Sequence, residues 1–243
     1  MTKTLLLFSA AFLAIAPVKA AEFNDTQKGE IEGIVKAYLM ENPDVIFDSI
    51  EAYKAKQAEE EASKAQNAIK DNLAAMTAED APSIGASAAD ADVTVIEFFD
   101  YNCGYCKRAI PDIQSVVKDD AKVRFVFKEM PILGPTSRVA ASWALAAHKQ
   151  GKYFDYHVAI MEHRGPKNEE ELSKLAEKLG LDADKMKEDA NSEEIKKELE
   201  EDIAFAREIG INGTPAFIIG GKLYGGYLGK DGLKATIKET REK

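Results

Sequence analysis

A chain of 243 residues with 45% hydrophobic content is long enough for one sizeable core and an accessory element. Its 42 acidic against 32 basic residues give a formal charge of −10, which argues against a nucleic-acid partner. Two cysteines are too few for a disulfide scaffold, so a role for them is local chemistry.

Lys3 precedes an apolar run from Leu5 to Ala16 that only Ser9 interrupts, and Val18-Lys19-Ala20 follows as a small-residue cleavage site. Residues 1–20 read as a cleaved secretory signal peptide, and the run is too short for a membrane anchor. Cleavage after Ala20 removes Lys3 and Lys19 and no acid, taking the charge from −10 to −12. Export places the two thiols where cysteines oxidise.

Residues 21–53 are expected to form two short amphipathic helices. Ile31, Ile34, Val35, Tyr38 and Leu39 make one apolar stripe, Asn42-Pro43 stops and restarts the chain, and Val45, Ile46, Ile50 and Tyr53 make a second. Segments this short have no core of their own, so they dock on the main domain or pair with copies of themselves. Residues 54–76 are rich in Ala, Glu, Lys and Gln, with Ile69, Leu73 and Met76 as the larger apolar residues. High helix propensity with a thin apolar face predicts a semi-rigid spacer. Pro82 and Gly85 predict a loop over 77–92, so that 54–92 reads as a helical and flexible linker.

Val93 to Phe99 reads as a buried strand, and Lys107 to Val117 switches to helical spacing through Ile110, Ile113, Val116 and Val117. Cys103-Gly104-Tyr105-Cys106 therefore sits where a strand hands over to a helix. The first turn of a helix has unpaired N–H groups and a partial positive charge that favour an anion, and a thiolate is one. Cys103 is the expected attacking sulfur, and Cys106 the one that closes a disulfide with it. Glu97 interrupts the apolar run on the face of Val93, Val95 and Phe99, where a charge needs a partner or an altered pKa. Lys128, after a second buried strand at Val123 to Phe127, is its expected counter-ion; a strand-end surface position for Glu97 is the alternative.

Pro131 to Pro135 breaks the pattern, and four helical stretches follow at 137–149, 153–163, 169–179 and 192–209. They form a helical insertion over about 135–210. Strand then returns at Ala216 to Ile219, Gly220-Gly221 suits a tight hairpin into Lys222 to Tyr224, and a last helix carries Leu233 and Ile237. His157 and His163 stand too far from Cys106 for a compact zinc site, and Lys107 in place of histidine excludes the usual covalent haem motif. No metal is expected, and His148, His157 and His163 are expected on helix surfaces or in packing.

The order Cys103-Gly104-Tyr105-Cys106, Pro111, helical insertion and Gly213-Thr214-Pro215 before a hairpin resembles the DsbA-like thioredoxin-fold family, over residues 93–243. The resemblance implies an α/β thioredoxin fold with a helical insertion, preceded by a helical stalk and linker. It implies a cis-proline loop at Thr214-Pro215 beside Cys103, a buried acid at Glu97 beneath the disulfide, and a bend in the helix at Pro111. Tyr105 and Gly213 with Thr214 would then touch substrate. The Gly-Tyr dipeptide and Thr214 are similar to those of disulfide isomerases, and the stalk, linker and domain together resemble the suppressor-of-copper-sensitivity proteins of the ScsC type. That resemblance implies a periplasmic homo-oligomer, with a trimer favoured, acting on unfolded or misoxidised exported proteins and recharged by a membrane redox partner. The redox-active disulfide Cys103–Cys106 would be its only cofactor. A monomeric dithiol oxidase is the alternative within the class, and a copper-handling chaperone using the same thiols is the alternative outside it.

Overall fold

A computed structural model describes residues 23–242, and the signal-peptide reading over 1–20 lies outside them. The chain divides into two units, Met1–Gln57 and Ala58–Lys243.

Helix α1 spans Asp25–Glu41 and α2 spans Asp44–Met76. The start of α1 is fixed by a capping box: the Asn24 side-chain oxygen accepts from the Gln27 N–H and the Gln27 side chain accepts in return from the Asn24 N–H. The stop at Asn42-Pro43 falls where the sequence puts it, but α2 then runs unbroken through residue 53 and the linker. No Pro or Gly interrupts that stretch, and its helix formers carry the turn onward. The expected spacer is therefore no free linker beyond Ala58. Ile69 and Met76 are buried against Ile96, Phe98 and Val126 of the sheet, each contributing about 1.5–3 kcal/mol by burial.

The second unit is a five-stranded mixed sheet, β1 (Ser83–Gly85), β2 (Val93–Phe99), β3 (Val123–Glu129), β4 (Ala216–Ile219) and β5 (Lys222–Gly225), in the order β1-β3-β2-β4-β5. β2 pairs parallel with β3 and antiparallel with β4. The segment expected as loop thus contains β1, which pairs antiparallel with β3. Arg124 of β3 is buried and donates to the carbonyls of Thr77, Ala78 and Glu79 and to the Ser83 hydroxyl. A cation there serves the unpaired carbonyls past the end of α2, whose last turn has no basic residue of its own.

Helix α3 is Gly104–Asp119, and the insertion comprises α4 (Pro135–Lys149), α5 (Tyr153–Glu162), α6 (Glu169–Lys178), α7 (Ala183–Ala190) and α8 (Glu193–Glu208). The sequence reading had no counterpart to α7, a short helix whose cap is the Asp182 carboxylate and whose large buried residue is Met186. Gly220 and Gly221 both take positive φ, 57° and 73°, as the two-residue hairpin requires, and α9 (Gly229–Arg241) closes the chain. Side chains alternate across the sheet. Val95 and Phe99 face a cluster with α3, α4, α5 and α9, while Ile96 and Phe98 face α2 and α8. No helix among the described residues is long and apolar enough to cross a membrane.

Candidate active site

β2 ends at Phe99, and the turn that follows is built by Asp100. Its carboxylate accepts from the Asn102 N–H at 2.7 Å, the Ser137 hydroxyl at 2.7 Å and the Leu133 N–H at 2.9 Å. An aspartate bonding the backbone two residues on is an Asx turn. Its backbone carbonyl takes the Cys103 N–H at 3.0 Å, and the Asn102 amide donates to the hydroxyls of Thr136 and Ser137. The approach to the cysteines is thereby tied to the first turn of α4. Asp100 as an organiser was absent from the sequence reading, although an Asp at a strand-to-turn junction is a signal for this geometry.

Cys103 is the N-cap of α3, and its sulfur accepts from the Cys106 N–H at 3.4 Å. On its other side the Cys103 thiol donates to the Thr214 carbonyl at 3.2 Å, and the Thr214–Pro215 bond is cis. Gly213, Thr214 and Pro215 line a cavity of about 240 Å³ next to it. Cys103 is 6% exposed and Cys106 fully buried, and both are free thiols. α3 runs through Pro111 without interruption.

Glu97 lies on the same face as Val95 and Phe99, in register with Phe127 on one side and Phe217 on the other. It is buried, and neither carboxylate oxygen has a hydrogen-bond partner. Burial, and secondarily the charge of Cys103, push its carboxyl well above the usual range. Burial also drives the Cys106 thiol far up, with Glu97 as the next cause. The acid and both sulfurs therefore sense one another inside an apolar shell.

Lys128 does not join them. It is in register with Phe98, so its side chain leaves the opposite face of β3 from Glu97 and pairs with Asp202 of α8 at 2.9 Å. The expected Glu97–Lys128 pair is thus wrong by one residue of strand phase. Even with Lys128 beside it, burial holds the Asp202 carboxyl above its ordinary value. We expect Lys128→Met to cost about 3–5 kcal/mol in denaturant unfolding, because it strands a buried carboxylate. The double variant Lys128→Met with Asp202→Leu should recover most of that loss; a single-variant loss below about 1 kcal/mol would contradict the assignment.

A second buried carboxyl escaped the sequence reading. Glu129 accepts from the Tyr101 hydroxyl at 3.3 Å and the Tyr153 hydroxyl at 3.0 Å, and burial pushes its carboxyl well up. Tyr101 also meets His157 Nδ1 at 2.9 Å, and burial pulls that imidazole down to about 3, so it stays neutral. His157 packs among Phe99, Phe127 and Tyr153. His148 contacts the Asp80 carbonyl, and His163 lies 3.9 Å from Glu171. Among the described residues no group of three or more His, Cys, Asp or Glu is arranged to hold a metal.

Tyr105 is 56% exposed beside the cysteines. Its ring lies 6.1 Å from that of Tyr227, and the Arg108 guanidinium sits 5.2 Å from its centre. The Tyr227 hydroxyl donates to Asp112 of α3, and the Gly226 N–H to the Pro215 carbonyl, so the loop after β5 borders the same surface. Nothing local marked Tyr227, because only the fold brings it to α3.

Residues 94–238 match the family model described as DSBA-like thioredoxin domain, which is more than half of the chain. The chain belongs to the DsbA-like thioredoxin-domain family. Residues 27–60 match a further model, the copper resistance protein ScsC N-terminal domain. Among solved structures it is similar to a thioredoxin-like oxidoreductase from Silicibacter pomeroyi DSS-3, at 38% identity and TM-score 0.65, covering 69% of this chain and 96% of that one. A linker-deletion mutant of Proteus mirabilis ScsC shares the fold at 23% identity and TM-score 0.67, covering 92% of this chain and 99% of that one. The chain is 31% identical over 150 residues to Na(+)/H(+) antiporter NhaA 1 of Salinispora arenicola; that match takes in 61% of this chain and spans 23% of the length of the relative.

Proposed function

We propose that this DsbA-like chain is a thiol-disulfide oxidoreductase acting on exported proteins in the periplasm, and specifically a stalk-assembled disulfide isomerase. The observation that carries the chemistry is Cys103 at the N-cap of α3, between the Cys106 N–H and the Thr214 carbonyl. The Cys103 thiolate attacks one sulfur of a substrate disulfide, forming a mixed disulfide and expelling the other sulfur as a thiolate. If a substrate thiolate then attacks the mixed disulfide, Cys103 is released and the substrate is isomerised with no net redox change. If Cys106 attacks instead, the substrate leaves reduced and Cys103–Cys106 closes, to be reopened by a redox partner at the membrane. Glu97 takes the Cys106 proton in that step. The disulfide is the only cofactor this scheme needs.

Ile34 is 69% exposed, Phe47 68% and Tyr53 64%, an apolar display that a lone soluble helix pair does not sustain. Ile31, Val35, Leu39 and Ile46 line a groove of about 520 Å³ in the first unit. Its occupants in this reading are other copies of the chain, a trimer being the expected assembly. Val35→Glu with Ile46→Glu is expected to lower the solution mass to that of a monomer. It should cut refolding of a scrambled-disulfide substrate about tenfold while leaving exchange with a small disulfide intact.

The decisive comparison is refolding activity and solution mass for the chain from residue 21 against a form starting at Ala58. A start near Asp92 would remove Ile69, Met76 and the carbonyls Arg124 holds, and so test folding instead. Equal activity and a monomeric mass for both forms would sink the isomerase reading and leave the dithiol oxidase. Copper handling is the second reading, favoured by the ScsC-type match at residues 27–60. Weak, substoichiometric Cu(I) uptake by the reduced chain would end it.

A further inference from the structure

One turn beyond Cys103 on α3 stands Lys107, whose N–H donates to the Cys103 carbonyl at 3.2 Å. Residues four apart on a helix share a face with about 6 Å between their Cβ atoms, so the Lys107 side chain borders the reactive sulfur. The helical insertion adds a second cation. Lys167 lies between α5 and α6, one residue before Asn168, whose side chain caps α6 by accepting from the Glu171 N–H. It is 5% exposed, and its ammonium meets that of Lys107. Burial, and next the Lys107 charge, pull the Lys167 amine down to about 8. Among the described residues neither ammonium has a carboxylate within ion-pair distance. The acid that Lys167 senses is Asp100, whose oxygens already accept from the Asn102 N–H, the Ser137 hydroxyl and the Leu133 N–H. A chain with a formal charge of −10 has thus set two cations against each other beside its reactive turn and left them unpaired by its own acids.

We propose that Lys107 and Lys167 form a subsite for a carboxylate carried by the disulfide that exchanges with Cys103. The proposal rests on the reading of Cys103 as the attacking thiol and gives that thiol a charge preference. A carboxylate held between the two ammonium groups turns their mutual repulsion into attraction for a shared anion. The lysines lie one helical turn from the sulfur, so the carboxylate they take stands within about three residues of the reacting cysteine. Such a group belongs either to a small acidic thiol in its disulfide form or to an acidic side chain near a substrate cysteine. The start of α3 also favours anions, but there the Cys106 N–H is directed at the Cys103 sulfur itself. The subsite is therefore separate from the groups that activate the thiol, and one of its two members comes from the insertion.

The test mixes the reduced protein from residue 21 with excess dithiodipropionate or, as the neutral match, hydroxyethyl disulfide. Cys103 attacks one sulfur of the reagent and expels the other as a thiolate; Cys106 then displaces the bound half. The protein dithiol is oxidised to a disulfide and the reagent is reduced to two thiols. Loss of protein thiols, read by alkylation and intact mass, gives each rate, divided by that of dithiothreitol with the same reagent. At neutral pH and low salt the acidic reagent should be favoured about tenfold, and the preference should shrink as salt rises. A capped tripeptide disulfide with glutamate beside the cysteine, set against its glutamine twin, tests the second source: preference in the first pair alone assigns the subsite to small acidic thiols, and preference in the peptide pair to acidic polypeptide. Lys107→Gln with Lys167→Met, which keeps an apolar stem at the buried position, should bring the ratio close to one. Lys107→Arg with Lys167→Arg should keep it. Each ratio is taken within one protein, so a change in thiolate content cancels. A preference that survives the neutral pair of substitutions, or none with any acidic probe in the unaltered protein, overturns the proposal. If no reagent reacts, the exchange reading is at fault, and the thioether thiodipropionate, which has no disulfide to exchange, reads the subsite alone. It should shift the backbone amide NMR signals of residues 107 and 167 in the unaltered protein and not in the neutral pair; unmoved signals overturn the proposal.

Discussion

Cys103→Ala is expected to abolish disulfide exchange, whereas Cys106→Ala should keep the first attack and then stall. The attacking species is a thiolate, and the structure offers one sulfur at the N-cap of α3, in contact with the cis-proline loop. Cys106 is fully buried one turn further in, and burial opposes its ionisation. It reaches a mixed disulfide only after Cys103 has formed one. The chain has two cysteines, so without Cys106 no other thiol of its own releases the substrate. On a non-reducing gel the Cys106→Ala protein should accumulate a covalent adduct of protein plus substrate, confirmed by intact mass. The Cys103→Ala protein should show none. Adducts in the reverse pattern would exchange the two roles.

Glu97→Gln is expected to slow closure of the Cys103–Cys106 disulfide about a hundredfold and to change its pH profile. In the proposed scheme the Cys106 proton passes to the Glu97 carboxylate, so closure should accelerate as Glu97 deprotonates and then level off. With glutamine the acceptor is lost, and the rate should go on climbing with pH towards the high value at which Cys106 ionises unaided. A stability readout has an independent sign. Glu97 titrates higher in the fold than in the unfolded chain, because its neutral form is the one that tolerates burial between Phe127 and Phe217. Its contribution is full below the unfolded value near 4.5 and is lost as pH rises towards the folded value. Across that window each such carboxyl lowers the unfolding free energy by about 1.4 kcal/mol per pH unit. Glu97→Gln should flatten that decline and be the more stable protein at neutral pH. Glu129→Gln should flatten its own share, since burial raises that carboxyl too, without touching the closure rate. An unchanged closure profile in Glu97→Gln would remove Glu97 from the proton path.

Much of the site was legible because its signals are local. The apolar run of β2, the Cys-x-x-Cys at a strand-to-helix junction, and the paired glycines before β5 each dictate backbone geometry within a few residues. Glu97 could be picked out as a charge on a buried face, since side chains alternate along a strand. That Lys128 is not its counter-ion could not, because Lys128 differs from Phe127 by one residue of register, and one residue reverses the face. Elements with weak local pattern were lost in the same way. β1 is three residues that exist as a strand because β3 pairs with them, and α7 is a short helix packed through Met186.

The sequence by itself determined where the two cysteines lie on the backbone, that an acid interrupts the apolar strand before them, and that a stalk with apolar stripes precedes the domain. Tertiary structure alone decided which groups meet. It brought the Thr214 carbonyl to Cys103 across 111 positions of chain, put Asp202 against Lys128, placed Tyr227 against α3, and turned a supposed linker into part of the core. The physical reason is that hydrophobic period and turn chemistry act over a few residues. Burial and pairing at a distance depend on register and on which face of the sheet each helix covers.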